Sequence, residues 1–288
     1  ISGGTGNTAS GDRATVGGGS TNTASGNSST ISGGGANAYP NTATADYSTI
    51  SGGGGHTASG YNATIGGGYG NIASGYYSTI SGGSNNEATE DGTTIGGGND
   101  NQASAIYTTI GGGDSNTASG FESTIGGGTQ NTASGNKSTI SGGEGNTASG
   151  GYYATIGGGS DNTASGNEST ISGGQNNTAS ANRSTVGGGQ NNTASSYYAT
   201  VGGGRYNASS GDDSTIGGGY TNTASGNGSF IGGGSDNQAS NQYATVGGGY
   251  LNIASGEYAV IGGGSYNTSS GNESTIGGGN TNTAIGIL

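Results

Sequence analysis

One aliphatic residue recurs along the chain at a nearly constant spacing and is followed each time by glycines. We call this residue the anchor; it is Ile or Val in nineteen copies, from Ile1 to Ile276. Sixteen of the eighteen intervals between anchors are 15 residues long, one is 16 and one is 19. A unit of this length, with two short β-like runs and two turns, is too short for a helical repeat or a propeller blade. The pattern predicts an all-β fold, a parallel β-roll or β-solenoid of about nineteen coils in a single repeat domain spanning residues 1–288.

Comparison of the nineteen copies indicates which positions face the interior. The residue two before the anchor is always small, the residue six after it is Asn in seventeen copies, and the residue eight after it is Ala or Ser. Because side chains alternate between the two faces of a strand, these positions and the anchor point to the same side. His56 replaces the asparagine once, and the long interval, with an insertion near residues 38–41, offers Asn37 or Asn41. We predict a core ladder of stacked side chains that includes Ile65, Ile80, Ile95, Ile110, Ile125, Ile140, Asn116, Asn131, Asn146, Asn162, Asn177 and Asn192.

The position directly before the anchor, the pre-anchor position, follows a different rule. It is Thr except at Phe230 and Val260, and it never carries a charge. This pattern favours a surface that another chain covers, with Phe230 and Val260 in the inter-chain contact. The second and third residues after every anchor are Gly-Gly, and glycine at such places serves either a positive φ or a close approach of backbone.

Charged residues and tyrosines concentrate in two short turns of the unit. Turn 1 consists of the fourth and fifth residues after the anchor, and turn 2 of the eleventh and twelfth. Exposed tyrosine supplies contact area for a ligand or a partner. The residues of possible recognition are the pairs Tyr76 and Tyr77, Tyr152 and Tyr153, and Tyr197 and Tyr198. Where a variable Asn of turn 2 precedes the constant Ser or Thr, it forms a triplet of possible N-glycosylation, as at Asn62, Asn136, Asn167 and Asn272.

Composition and charge exclude several classes of function. Glycine supplies 73 of the 288 residues, and Leu, Ile, Val and Phe together make up about a tenth, which by itself would predict disorder. The net charge of −12 opposes binding to nucleic acid and to anionic membranes, and no apolar stretch is long enough to insert into a bilayer. Without cysteine the chain cannot build a thiolate metal site, and its single histidine, His56, occupies an asparagine position of the repeat, which speaks against a Ser-His-Asp constellation or a two-histidine metal site. We therefore expect no enzyme activity, no cofactor and no metal site.

The string N-T-A-S-G-x-x-S-T-I-G-G-G, present at residues 116–128 and, with one Ser for Gly, at 131–143, resembles the head repeats of trimeric autotransporter adhesins and related bacterial and phage fibre proteins. The resemblance implies a left-handed parallel β-roll in a homotrimer, on a cell surface or a virion fibre. It also implies a non-enzymatic structural protein, the shaft or head of a longer extracellular fibre, whose partners are a host or environmental surface or a glycan. The unit differs from those heads in having 15 residues rather than 14.

Two alternatives to an adhesin remain open from the residues. One is a phage tail-fibre segment, which shares the same repeats. The other is an ice-binding β-solenoid, because Thr and Ser seven and nine residues after the anchor form a regular array. Ile72, Glu87, Gln102 and Ile253 interrupt that array, which weakens the ice-binding interpretation.

Overall fold

The computed structural model describes residues 1–286, and over that range the chain contains short β-strands, isolated β-bridges, turns and bends but no helix. Every strand is two residues long and consists either of a Thr-Ala pair or of the pre-anchor residue and the anchor, with few substitutions. The chain forms two compact units, unit 1 from Ile1 to Gly145 and unit 2 from Asn146 to Leu288.

The two kinds of strand alternate along each unit. The strands of unit 1 are β1 Thr8–Ala9, β2 Thr15–Val16, β3 Thr23–Ala24, β4 Thr30–Ile31, β5 Thr42–Ala43, β6 Thr49–Ile50, β7 Thr57–Ala58, β8 Thr64–Ile65, β9 Ile72–Ala73, β10 Thr79–Ile80, β11 Glu87–Ala88, β12 Thr94–Ile95, β13 Gln102–Ala103, β14 Thr109–Ile110, β15 Thr117–Ala118, β16 Thr124–Ile125, β17 Thr132–Ala133 and β18 Thr139–Ile140. The strands of unit 2 are β19 Thr147–Ala148, β20 Thr155–Ile156, β21 Thr163–Ala164, β22 Thr170–Ile171, β23 Thr178–Ala179, β24 Thr185–Val186, β25 Thr193–Ala194, β26 Thr200–Val201, β27 Ala208–Ser209, β28 Thr215–Ile216, β29 Thr223–Ala224, β30 Phe230–Ile231, β31 Gln238–Ala239, β32 Thr245–Val246, β33 Ile253–Ala254, β34 Val260–Ile261, β35 Thr268–Ser269, β36 Thr275–Ile276 and β37 Thr283–Ala284.

Within each unit, a strand pairs in parallel with the strand of the same kind one coil further along the chain. In unit 1, for example, Ile80 of β10 pairs with Ile95 of β12, which in turn pairs with Ile110 of β14. A third ladder of single-residue parallel bridges runs through the first residue of turn 1, as between Ser84 and Asn99. The predicted parallel β-solenoid with a repeat of about 15 residues is confirmed.

The number of turns and the long interval differ in detail from the sequence prediction. The two units together contain about 18 turns rather than nineteen; the anchor Ile1 lies in no strand and is exposed. In the long interval, Ala36 and Tyr39 form an antiparallel bridge, so the insertion is a small hairpin. Asn41, not Asn37, occupies the asparagine position of that coil, where its Nδ2 donates to the backbone oxygen of Gly53 at 3.0 Å.

Anchors, asparagines and alanines form the interior of each coil. The six anchors of the predicted core ladder, Ile65 to Ile140, are completely buried, and so are its six asparagines. Burying one isoleucine side chain contributes roughly 2–3 kcal/mol. Asn116 shows how its amide is satisfied, since Nδ2 donates to the backbone oxygens of Gly112 and Gly128 at 3.1 and 2.8 Å and to Asn101 Oδ1 at 3.0 Å. A buried amide with several partners stabilises the coil, whereas an unpaired one would cost stability.

Candidate recognition surface

The turns expose variable side chains because their backbone is held by hydrogen bonds between coils. The second residue of each turn adopts a left-handed conformation, with φ between 51° and 60° in thirty non-glycine residues of the described chain. Its N–H donates to the first residue of the same turn in the preceding coil, as from Glu168 to Tyr152 O and from Arg183 to Asn167 O, both at 2.8 Å. Because these bonds use main-chain atoms, the side chains are free to vary.

One group of turn 2 side chains in unit 2 forms a connected cluster, which we call the Arg183 cluster: Glu168, Arg183, Tyr197 and Tyr198. Arg183 Nε donates to Glu168 Oε2 at 2.9 Å, and one terminal nitrogen donates to the hydroxyls of Tyr197 at 3.1 Å and Tyr198 at 2.5 Å. The guanidinium also lies over the Tyr198 ring, 5.4 Å from its centroid, and the two tyrosine rings meet edge to face at 4.3 Å. The cluster therefore fixes two aromatic rings on the surface.

The hydrogen bonds of the Arg183 cluster also set its charge. The hydrogen bond to Glu168 raises the pKa of Arg183 above its usual value, and the hydrogen bond to Tyr198 raises the pKa of Tyr197. The guanidinium stays charged, with its charge balanced by Glu168, and the Tyr197 phenol stays neutral at physiological pH. Such a surface offers stacking, hydroxyl groups and a carboxylate without net positive charge, which suits a neutral polar ligand better than an anion.

The other predicted recognition residues are exposed on turn 2 as well. Tyr152 and Tyr153 precede the Arg183 cluster on the same turn of unit 2 and are 54% and 53% exposed, with ring centroids 6.3 Å apart. In unit 1, Tyr76 and Tyr77 are exposed beside Tyr61, at 6.0 Å from its ring. Within unit 2, the Arg183 cluster joins two of the predicted tyrosines to a charged pair.

The four asparagines of possible glycosylation lie in turn 2, where hydrogen bonds and burial limit their modification by an enzyme. Asn136 and Asn167 each accept a backbone N–H from the preceding coil through Oδ1, at 3.2 and 3.1 Å. Asn272 accepts one in the same way at 3.2 Å, and Asn62 is half-buried with a left-handed backbone. The serines of the Asn136 and Asn167 triplets are buried, so a modifying enzyme would need to reach these two triplets before the coils form.

The pre-anchor positions form an outward-facing column in each unit. In unit 1, all nine strands of the anchor kind begin with Thr. In unit 2, Phe230 and Val260 interrupt the threonines; Phe230 is 42% exposed and its ring lies beside Gly232, whereas Val260 is half-buried. Phe230 therefore exposes an aromatic ring to contact with another molecule, on a column that carries no charge.

Histidine and acidic side chains do not form a metal-binding group within the described residues. Within residues 1–286, no group of three or more His, Cys, Asp or Glu side chains could hold a metal ion. Glu87 and Asp100 line an open surface depression together with amides and hydroxyls. The single histidine, His56, is completely buried in the asparagine ladder.

Within residues 1–286, no helix has the length and apolar character needed to cross a membrane.

Comparisons with known proteins add no family assignment. No protein-family model matches the chain, and a search of the curated proteins found no match.

Proposed function

We propose that the chain is a non-enzymatic structural repeat of an extracellular fibre or adhesin, on a cell surface or a virion. The observation that carries the proposal is the division of each coil into a uniform interior and variable turns. Anchors, asparagines and alanines are repeated with little change and are buried, whereas tyrosines and charges are confined almost entirely to exposed turns. A scaffold of this kind spaces and presents surface groups and needs no reaction centre.

The partner in the proposed fibre is the chain itself, as a homotrimer. Support comes from the exposed aromatic ring of Phe230 and from Val260 on an uncharged column, together with the resemblance to trimeric fibre repeats. Closed cyclic assemblies are the usual form of soluble homo-oligomers.

Replacing Phe230 and Val260 together by Thr, the residue that the other coils carry, tests this contact. By light scattering, we expect the unchanged protein to have three times the mass of one chain. The double variant should form a weaker trimer, which dissociates at protein concentrations where the unchanged protein is still trimeric, because it loses apolar contact area. Phe121→Thr, which removes another exposed ring from turn 2, is the matched control and should leave the mass unchanged. A protein that is monomeric at all concentrations would contradict the proposed trimer.

The proposed ligand-binding part of the fibre is turn 2 of unit 2, with a neutral glycan as ligand. The exposed rings of Tyr152, Tyr153, Tyr197 and Tyr198 and the balanced charge of Arg183 support this choice. Aromatic faces stack on the apolar faces of sugar rings, while hydroxyl and carboxylate groups bond the sugar hydroxyls.

Ice binding is the second candidate function, and the pre-anchor column of unit 1 supports it. Nine consecutive coils carry Thr there in direct parallel register, without the interruptions of the array seven and nine residues after the anchor. A thermal-hysteresis assay on the purified protein separates the two candidates. A freezing point held below the melting point would favour ice binding, and equal values would favour the fibre.

A further inference from the structure

His56 takes the place of an asparagine in the ladder of unit 1 and makes two of the bonds that an asparagine would make. Its backbone N–H donates to Asn41 Oδ1 at 3.1 Å, and its Nδ1 accepts the backbone N–H of Asn71 at 3.1 Å. Nδ1 thus replaces the Oδ1 atom through which each asparagine accepts the N–H of the next coil. The ring is completely buried.

The imidazole does not reproduce the donor side of the amide. In another coil of unit 1, the ladder residue Asn86 donates from Nδ2 to the backbone oxygens of Gly82 and Gly98 at 3.1 and 2.9 Å. At the corresponding place, His56 Nε2 is buried without a hydrogen-bond partner of ordinary geometry. Because Nδ1 accepts a hydrogen bond, the proton of the neutral ring is on Nε2. A second proton would have to enter at Nδ1, the atom that faces the N–H of Asn71.

The surroundings of the ring offer no negative charge to balance a second proton. The ladder neighbours are Asn41 and Asn71, and the backbone beside the ring belongs to Gly53 and Gly68, none of which titrates. Burial has the largest effect on the pKa of His56 and lowers it below its ordinary value. Tyr69 of the adjoining turn 1 and Tyr39 of the inserted hairpin lie with their ring centroids 5.1 Å apart.

We propose that His56 is an acid-sensitive position of the asparagine ladder, at which the coils on either side open when the ring is protonated. A proton on Nδ1 converts the acceptor of the Asn71 N–H into a donor, so the two groups repel each other. It also leaves an uncompensated cation in the interior, which is strongly unfavourable. Opening of the ladder exposes the ring to water and relieves both effects.

The pH range follows from the direction of the pKa change. The histidine of the unfolded or opened chain has a pKa near 6.5, and the folded value is lower. The opened state therefore binds the proton more tightly. The folded coil is fully stable above pH 6.5, and this contribution is lost as the pH falls from 6.5 through the folded pKa. Over that range, the population of the opened state rises by up to about tenfold per pH unit.

Hydrogen exchange of the backbone, measured by mass spectrometry at pH 7.5 and 5.5 and corrected for the intrinsic exchange rates, tests the proposal. We expect segments 52–58 and 67–73 to exchange up to about tenfold faster at pH 5.5 in the wild-type protein. Segment 112–118, which has an asparagine at the equivalent position, is the internal control and should not change. His56→Asn, which restores the repeat, should remove the acceleration.

A second measurement keeps the test independent of the behaviour of the variant. Since the chain contains one histidine, the NMR signal of its ring is assigned without further work and reports its protonation directly. We expect a titration midpoint below 6.5 in the folded protein. A midpoint at or above 6.5, or the same acceleration of exchange in wild type and His56→Asn, would overturn the proposal.

Discussion

At the scale of single residues, the two glycines that follow every anchor meet different surroundings. A Cβ added to Gly219 would lie 2.1 Å from the backbone oxygen of Gly234 and 2.7 Å from Asn222 Nδ2, and its φ is +95°. A Cβ added to the neighbouring Gly218 would meet no atom closer than 4.0 Å, and no left-handed φ is required there. The pattern alone allowed either a positive φ or a close approach; the third residue after the anchor combines both.

This difference gives a matched pair of variants. Gly219→Ala should lower the free energy of unfolding by about 2–4 kcal/mol, because the methyl group forces the coils apart and the backbone into a strained region. Gly218→Ala should change it by less than about 1 kcal/mol. Urea denaturation followed by circular dichroism measures both values. Equal losses in the two variants would contradict this account of the glycines.

The left-handed backbone of the turns could not be predicted from the tolerance of their sequence. Arg183, Tyr198 and Leu251 all adopt it, although such residues rarely do. Main-chain bonds between coils hold this conformation, and those bonds leave no mark on the choice of side chain. The available signal was the frequency of Gly, Asn and Asp in the second position of the turns, where Gly92 and Gly228 have the same conformation.

At the scale of the repeated element, the asparagine ladder connects the glycine turn of one coil to the next coil. Asn177 Nδ2 donates to the backbone oxygens of Gly173 and Gly189 at 3.1 and 2.9 Å, and its Oδ1 accepts the backbone N–H of Asn192 at 2.9 Å. The repetition of the column in the sequence predicted that it faces inward. The repetition could not indicate which carbonyl groups accept hydrogen bonds from the amide, because the positions of those groups depend on the path of the glycine backbone.

Asn177→Leu tests the energetic weight of the ladder. The variant leaves the buried N–H of Asn192 without an acceptor and places a branched side chain in a thin interior, so we expect a loss of about 2–4 kcal/mol in the free energy of unfolding. Asn176→Gly is the control, since Asn176 is exposed in a left-handed turn position where glycine fits without strain. Thermal denaturation of both variants decides the point, and an unchanged Asn177→Leu protein would show that the ladder is dispensable.

At the scale of the whole molecule, composition and periodicity lead to opposite predictions. The small share of large aliphatic residues is typical of a disordered chain, yet both units are folded. The periodicity is the better guide because each coil needs only one anchor, one alanine and one asparagine inside, provided that the neighbouring coils cover them. The same arrangement places nearly all chemically distinctive side chains outside, in the turns.

The separation between interior and turns predicts that recognition can be removed without loss of the fold. Replacing Tyr152, Tyr153, Tyr197 and Tyr198 together by Ser should leave the free energy of unfolding within about 1 kcal/mol of the original, because exposed substitutions cost little and Ser28 and Ser115 already occupy such turn positions. Binding to neutral glycans on an array should be lost. The matched control replaces four turn 1 tyrosines of the same unit by Ser: Tyr206, Tyr220, Tyr250 and Tyr266. If the turn 2 variant unfolds, or if both variants lose binding equally, then the assignment of the interior or of the recognition surface is wrong.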